Sequence, residues 1–166
     1  ERSSIGVRNG AYELTLLDAT RRSQPVTWGS LQEVILEGDF HITVEISAVT
    51  FDNTDDRIGL WLDYNNQDNF LSFAMRSDGS FQMARYFAGY TPFVDWTATP
   101  ALNIGDGATN VLEIIRRGPV YEVYINQNFV TSQRLIEDLS GRIAFFGASW
   151  ETPATMRLNV LRVCAE

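Results

Sequence analysis

His41 and Glu45 stand four residues apart in the run Phe40-His41-Ile42-Thr43-Val44-Glu45-Ile46-Ser47-Ala48, so in an extended strand their side chains share one face. With Asp63 on a neighbouring strand they would supply two carboxylates and an imidazole. That set suits general acid–base cleavage of a glycosidic bond, which needs carboxyl groups about 5 to 10 Å apart. Glu45 is the one acid within its strand, and Glu137-Asp138 has no second Glu at the required spacing. A polar, solvated sheet face is therefore the plainer reading of His41 and Glu45. Composition removes other chemistries. All thirteen positive residues are Arg and none is Lys, which excludes Schiff bases and Lys nucleophiles. A single His and no Gly-x-Ser-x-Gly run leave no triad. A lone Cys164 makes neither an intrachain disulfide nor a Cys-based metal site.

Two other constellations point to binding. The run Asp52-Asn53-Thr54-Asp55-Asp56 gathers three carboxylates and an amide in one loop, and hard oxygens of this kind suit Ca²⁺, which takes six to eight of them. Asp52, Asn53, Asp55 and Asp56 are the expected ligands, although Asn and Asp are also ordinary turn residues and no EF-hand pattern is present. The aromatic residues suggest a carbohydrate surface. If Phe40, Ile42, Val44, Ile46, Leu60 and Leu62 face the core, alternation sends His41, Glu45, Trp61 and Asp63 outward, followed by Arg76 and Tyr86 on the next strands. Trp96 and Trp150 are expected on flanking loops. Rings offer an apolar face to sugar C–H groups while Arg, Asp and Gln bond hydroxyls. The competing reading has Trp96 and Trp150 plugging the ends of the fold and Trp61 packed beneath a loop.

The elements that must carry these residues are short strands. Strands are expected at Ala11 to Leu17, Phe40 to Ala48, Arg57 to Tyr64, Phe70 to Arg76, Phe81 to Phe87, Arg142 to Ala148 and Met156 to Val163. Asn110 to Arg117 and Tyr121 to Ile125 add a pair around a Gly118-Pro119 turn. Val, Ile and aromatic residues fit a pleated surface, and Asp78-Gly79 is a hairpin signal. A turn of helix is expected only at Gln133 to Leu139. About ten short strands without βαβ spacing predict an all-β, antiparallel two-sheet sandwich. At 166 residues the length predicts one domain over 1–166. The net charge of −8 opposes nucleic acid and anionic membranes as partners and permits cations and neutral glycans. No run is long and apolar enough to span a bilayer, and no signal peptide is visible.

Several motifs in order resemble one large family. They are Asn9-Gly10-Ala11-Tyr12-Glu13-Leu14, Gly38-Asp39-Phe40, Ile58-Gly59-Leu60-Trp61-Leu62-Asp63-Tyr64 and Asp68-Asn69-Phe70-Leu71-Ser72-Phe73. Asp78-Gly79-Ser80-Phe81, Asn110-Val111-Leu112, Tyr124-Ile125-Asn126 and Gly141-Arg142-Ile143-Ala144 complete the set. Together they resemble the concanavalin A-like lectin/glucanase sandwiches, in particular their laminin-G-like bacterial modules. The resemblance implies a jelly roll and an extracellular or cell-surface setting. It also implies a role drawn from lectins, glycan-binding modules, adhesion domains, glucanases and lyases, with a structural calcium in some relatives. The Glu-x-Asp-x-x-Glu run of the retaining glucanases is missing. Where the related 3-keto-disaccharide hydrolases carry Asn-Ser-Gly, this chain reads Asp56-Arg57-Ile58-Gly59. The expected function is a non-catalytic module binding a glycan or other polymer. The alternatives are a structural or protein-interaction domain and a glycan-processing enzyme.

Overall fold

The computed structural model describes residues 3–16, 26–50, 54–135, 140–150 and 153–165. Among them the chain forms thirteen strands and no helix. One sheet runs β1 (Ser3–Arg8), β2 (Ala11–Leu16), β13 (Ala154–Ala165), β4 (Phe40–Thr50), β9 (Thr109–Arg117), β10 (Val120–Ile125) and β11 (Asn128–Arg134). The other runs β3 (Val26–Leu36), β12 (Gly141–Ser149), β5 (Arg57–Asn66), β6 (Asn69–Arg76), β7 (Ser80–Phe87) and β8 (Tyr90–Ala98). Neighbours pair antiparallel throughout. Gln133 and Arg134, expected to open a helical turn, end strand β11 instead. The rest of that expectation reaches into residues 136–139, outside the described residues.

The core fills by alternation. Phe40, Ile42, Val44 and Ile46 of β4 meet Leu112 and Ile114 of β9 and Tyr121, Val123 and Ile125 of β10 on one side. Ile58, Leu60 and Leu62 of β5, Leu71, Phe73 and Met75 of β6, and Ile143 and Phe145 of β12 come from the other. These side chains are almost wholly removed from water, and burial at about 25 cal/mol per Å² is what holds the two sheets face to face. The turns behave as their residues require. Gly79 adopts φ +86° in the β6–β7 hairpin and Asn126 φ +49° after β10. Asn126 then stitches the sandwich end: its Oδ1 accepts from the Val111 amide at 2.8 Å and its Nδ2 donates to the Ala101 carbonyl at 2.8 Å.

One departure from alternation shapes everything above it. Against β12 the β5 register slips by one residue between Trp61 and Tyr64, and against β6 it shifts between Leu62 and Asn66; Asp63 sits there with φ +51°, a β-bulge. The extra residue turns the Asp63 side chain into the core and Tyr64 outward. Asp63 is fully buried, and the Tyr121 hydroxyl donates to its Oδ2 at 2.9 Å. Arg116 and Arg85, both buried, act electrostatically on the same hydroxyl. The Arg116 guanidinium lies 5.6 Å from the Tyr121 ring. Gly141 on β12 makes room for the bulge, since a Cβ there would run into the Asp63 backbone carbonyl carbon and stand 2.8 Å from the Tyr64 nitrogen. Gly141→Ala is therefore expected to cost at least about 2 kcal/mol, because main chain cannot rotate away as a side-chain tip can. A melting temperature within a degree of wild type would refute that packing.

The same cluster sets an alkaline limit. Burial first, then the Asp63 charge and hydrogen bond, push the Tyr121 pKa well above its usual 10, with Arg116 and Arg85 pulling the other way. Above about pH 10 the unfolded chain has released the Tyr121 proton while the native state still holds it. Stability should then fall by about 1.4 kcal/mol per pH unit from this residue alone. Urea unfolding between pH 9 and 11 should show that slope, and Tyr121→Phe should make it shallower by one proton's worth.

Candidate functional site

The outer face of the six-stranded sheet carries a groove of about 550 Å³, within the range of small-ligand sites. Its first wall is a row of rings crossing five strands. Phe146 of β12 stacks on Trp61 of β5 at 4.9 Å, and Trp61 meets Phe70 of β6 at 5.0 Å. Phe70 then stacks on Tyr86 of β7 at 4.5 Å, and Tyr86 meets Tyr90 of β8 at 5.3 Å. This spacing is that of adjacent strands, about 4.8 Å, so the row is a direct product of register. Trp61 faces Ser72 and Ala144, and Phe70 faces Tyr86, across the ladders. Tyr64, brought out by the bulge, stacks on Trp61 at 5.6 Å. Phe70 and Phe146 are buried beneath their neighbours, whereas Trp61, Tyr64 and Tyr86 are half-buried and Tyr90 is exposed.

The floor is small. Ser72 and Ala74 of β6 and Ala148 of β12 line it, with Gln82 of β7 opposite Ala74. The second wall lies four residues further along β5, about 13 Å from Trp61 at strand rise. There the Arg57 guanidinium lies 4.3 Å from the Trp150 ring and 5.1 Å from that of Trp96. Arg76, opposite Arg57 in the ladder, lies 3.7 Å from Trp96 and pairs with Asp55 at 3.2 Å. Gln82 donates to Asp95 Oδ1 at 3.2 Å. Burial, then the charge of Arg76, hold the Arg57 pKa below its usual value, and Tyr86, Asp55 and Tyr90 oppose that shift. Burial raises the Tyr86 pKa, and Arg57 works against it.

Of the residues expected to bind ligand, Trp61, Tyr86, Arg76, Trp96 and Trp150 come together around this groove. Three do not. Asp63 points into the core because of the bulge. His41 and Glu45 belong to β4 in the seven-stranded sheet, so they lie on the opposite outer face of the sandwich. There His41 Nε2 pairs with Glu113 at 3.1 Å and Glu45 accepts from Asn159 Nδ2 at 3.0 Å. The expected acid–base set of Glu45, Asp63 and His41 is thus split between two locations and cannot act on one bond. Among the residues expected to hold calcium, Asp52 and Asn53 lie outside the described residues. Asp55 is paired with Arg76, and Asp56 is buried with its Oδ1 accepting from the Trp150 amide at 3.2 Å. Among the described residues no group of three or more His, Cys, Asp or Glu is placed to hold a metal.

Phe70, Phe146 and Arg57 belong to the groove and were not singled out from the sequence. Phe70 shares parity with Arg76 and Arg57 with Trp61, so extending the alternation along those two strands would have found them, whereas Phe146 had no outward residue on its own strand to follow. Tyr64 has no such signal, because alternation places it inward and only the bulge reverses it.

No family model matches the chain, and no curated protein sequence matches it either. Solved structures do resemble it. A carbohydrate binding module, CBM66 from Bacillus subtilis, aligns with a TM-score of 0.73 at 12% identity, over 97% of this chain and 91% of that one. The family 7 alginate lyase A1-II' aligns with a TM-score of 0.66 at 14% identity, over 95% and 81%. Sheep galectin-11 aligns with a TM-score of 0.59 at 12% identity, over 87% and 100%. At such identities the likeness is one of architecture, and with the two-sheet topology it shows that this chain has the concanavalin A-like jelly-roll fold.

Proposed function

We propose that the groove on the six-stranded sheet binds carbohydrate and that the domain is a non-catalytic binding module. The observation that carries this reading is the unbroken row Phe146–Trp61–Phe70–Tyr86–Tyr90 along a floor of Ser and Ala. The exposed parts of Trp61, Tyr64, Tyr86 and Tyr90 form an apolar strip for a sugar's C–H groups to pack against, while Gln67, Gln82 and Arg57 stand ready for hydroxyls. No Asp, Glu or His is among the described residues lining the groove, so they do not supply the carboxylate pair that glycoside hydrolysis uses. The likeness to a carbohydrate binding module and a galectin, each at low identity, supports the same reading. By the family resemblance the reading extends to an exported or cell-surface protein.

The test is a panel of immobilised polysaccharides and a glycan array, screened in calcium and again in chelator. Retention of at least one glycan, lost in groove variants, is the expected result. If the whole panel is silent, the carbohydrate reading fails and a structural or protein-interaction domain takes its place. A cation held by the 52–56 loop would tie binding to calcium. Unchanged binding and an unchanged melting temperature in chelator would remove the ion from the reading, since a ligand of the native state alone must stabilise it.

A further inference from the structure

The chain carries a net charge of −8, yet no carboxylate is among the described residues lining the groove, and two guanidiniums stand side by side at one end of it. Their situations differ. Arg76 has Asp55 at 3.2 Å. Arg57 makes no ion pair and no hydrogen bond among the described residues, and its Nε is shielded from water without an acceptor. Instead its guanidinium lies over the Trp150 ring at 4.3 Å and the Trp96 ring at 5.1 Å. Stacking restrains the guanidinium plane while leaving the edge N–H groups, which lie in that plane, free for a planar oxyanion. A partly buried cation beside a second cation and lacking an acceptor is costly, and an anion from outside would remove that cost.

We infer that Arg57 is an anion subsite of the groove, and that the saccharide taken there is acidic, bearing a carboxylate or sulfate that the Arg57 fork receives while neighbouring rings stack along the Trp61 row. This rests on the carbohydrate reading and narrows it to a substrate class. Burial and the Arg76 charge both disfavour the Arg57 cation, and Tyr86, Asp55 and Tyr90 offset only part of that; a bound oxyanion would shift the balance further toward the cation. The acidic surface makes the prediction sharper, because a protein of this net charge is repelled by polyanions in general, so retention on one reports a local site.

The experiment measures binding of the wild-type domain to polygalacturonate, alginate and hyaluronan, each beside its carboxyl-reduced form, and to dextran sulfate beside dextran. At least one anionic polymer should bind about tenfold or more tighter than its neutral counterpart, as expected for hydrogen bonds to a charged group. The preference should shrink as NaCl rises from 0.05 to 0.5 M. The carboxylate and sulfate arms identify which oxyanion is read. Arg57→Gln should abolish the preference, and Arg57→Lys should restore only part of it, since Lys keeps the charge and loses the fork. Equal binding to acidic and neutral forms, or retention on neutral polymers alone, overturns the anion subsite and leaves the carbohydrate reading standing. Retention on none of these polymers or the wider panel overturns both. Should Arg57→Gln fail to fold, the paired polymers on the wild-type protein still decide the question.

Discussion

Trp61→Ala is expected to weaken glycan binding about thirtyfold while leaving the domain folded. Trp61 is the centre of the ring row, touching Phe146, Phe70 and Tyr64 at once. A central aromatic anchor of this kind is worth about 2 kcal/mol or more in binding, which is the thirtyfold. Its cost to stability is smaller, because Trp61 is only half-buried and lies on the outside of a sheet whose core side, Leu60 and Leu62, is unchanged. A loss of about 1 to 2 kcal/mol, or a fall of a few degrees in melting temperature, is the expected scale. Calorimetric titration against whichever polymer the panel identifies, beside a thermal melt, separates the two effects. Wild-type affinity in a folded Trp61→Ala protein would move the binding site off this face.

Asp63→Ala should produce the largest loss of stability of any single change discussed, about 3 to 5 kcal/mol. The carboxylate is fully buried and accepts from the Tyr121 hydroxyl, on which the buried Arg116 and Arg85 also act electrostatically. Removing one member of a buried charged set leaves opposite charges without compensation, and that penalty exceeds the net worth of the interaction. The substitution also places Ala at φ +51°, a conformation Asp and Asn tolerate better. A fall of about 6 to 20 °C in melting temperature follows for a domain of this size. Asp63→Asn, which keeps the acceptor for Tyr121 and the backbone preference, should fall between wild type and Ala. Because the bulge also presents Tyr64 to the groove, Asp63→Ala should weaken glycan binding as well, although Asp63 touches no ligand. A melting temperature within about two degrees of wild type would show that the buried cluster contributes little.

The nine strands legible in the sequence, those at β2, β4, β5, β6, β7, β9, β10, β12 and β13, are the interior strands of the two sheets. The four that were missed, β1, β3, β8 and β11, are the four edges. An interior strand has a neighbour on each side and one face against the core, so selection on burial writes a period of two into it, as in the β9 pattern of alternating buried and half-buried residues. An edge strand is half in solvent. In β8 exposure runs almost without interruption through Tyr90-Thr91-Pro92-Phe93, and Pro, which cannot donate to a ladder, is tolerated there for that reason. β1 likewise leaves Ile5 and Val7 exposed. Local sequence therefore carries the middle of each sheet and loses its margins.

The candidate site divides along the same physical line. Alternation within one strand was enough to send Trp61, Arg76 and Tyr86 outward, and those three share the groove. Deciding which strands share a sheet was another matter. β4 and β5 both alternate cleanly, so by pattern His41, Glu45 and Trp61 are equivalent, and only long-range pairing places β4 beside β9 and β13 while β5 lies between β12 and β6. The fate of Asp63 needed the tertiary structure for a different reason. The bulge reverses the facing of its neighbours, and it depends on Gly141 of a distant strand leaving room and on Tyr121 donating to the carboxylate. What the chain determines locally is which side chains can alternate. What only the folded sandwich decides is which faces coincide, because pairing partners far apart in sequence impose register and no short-range preference encodes it.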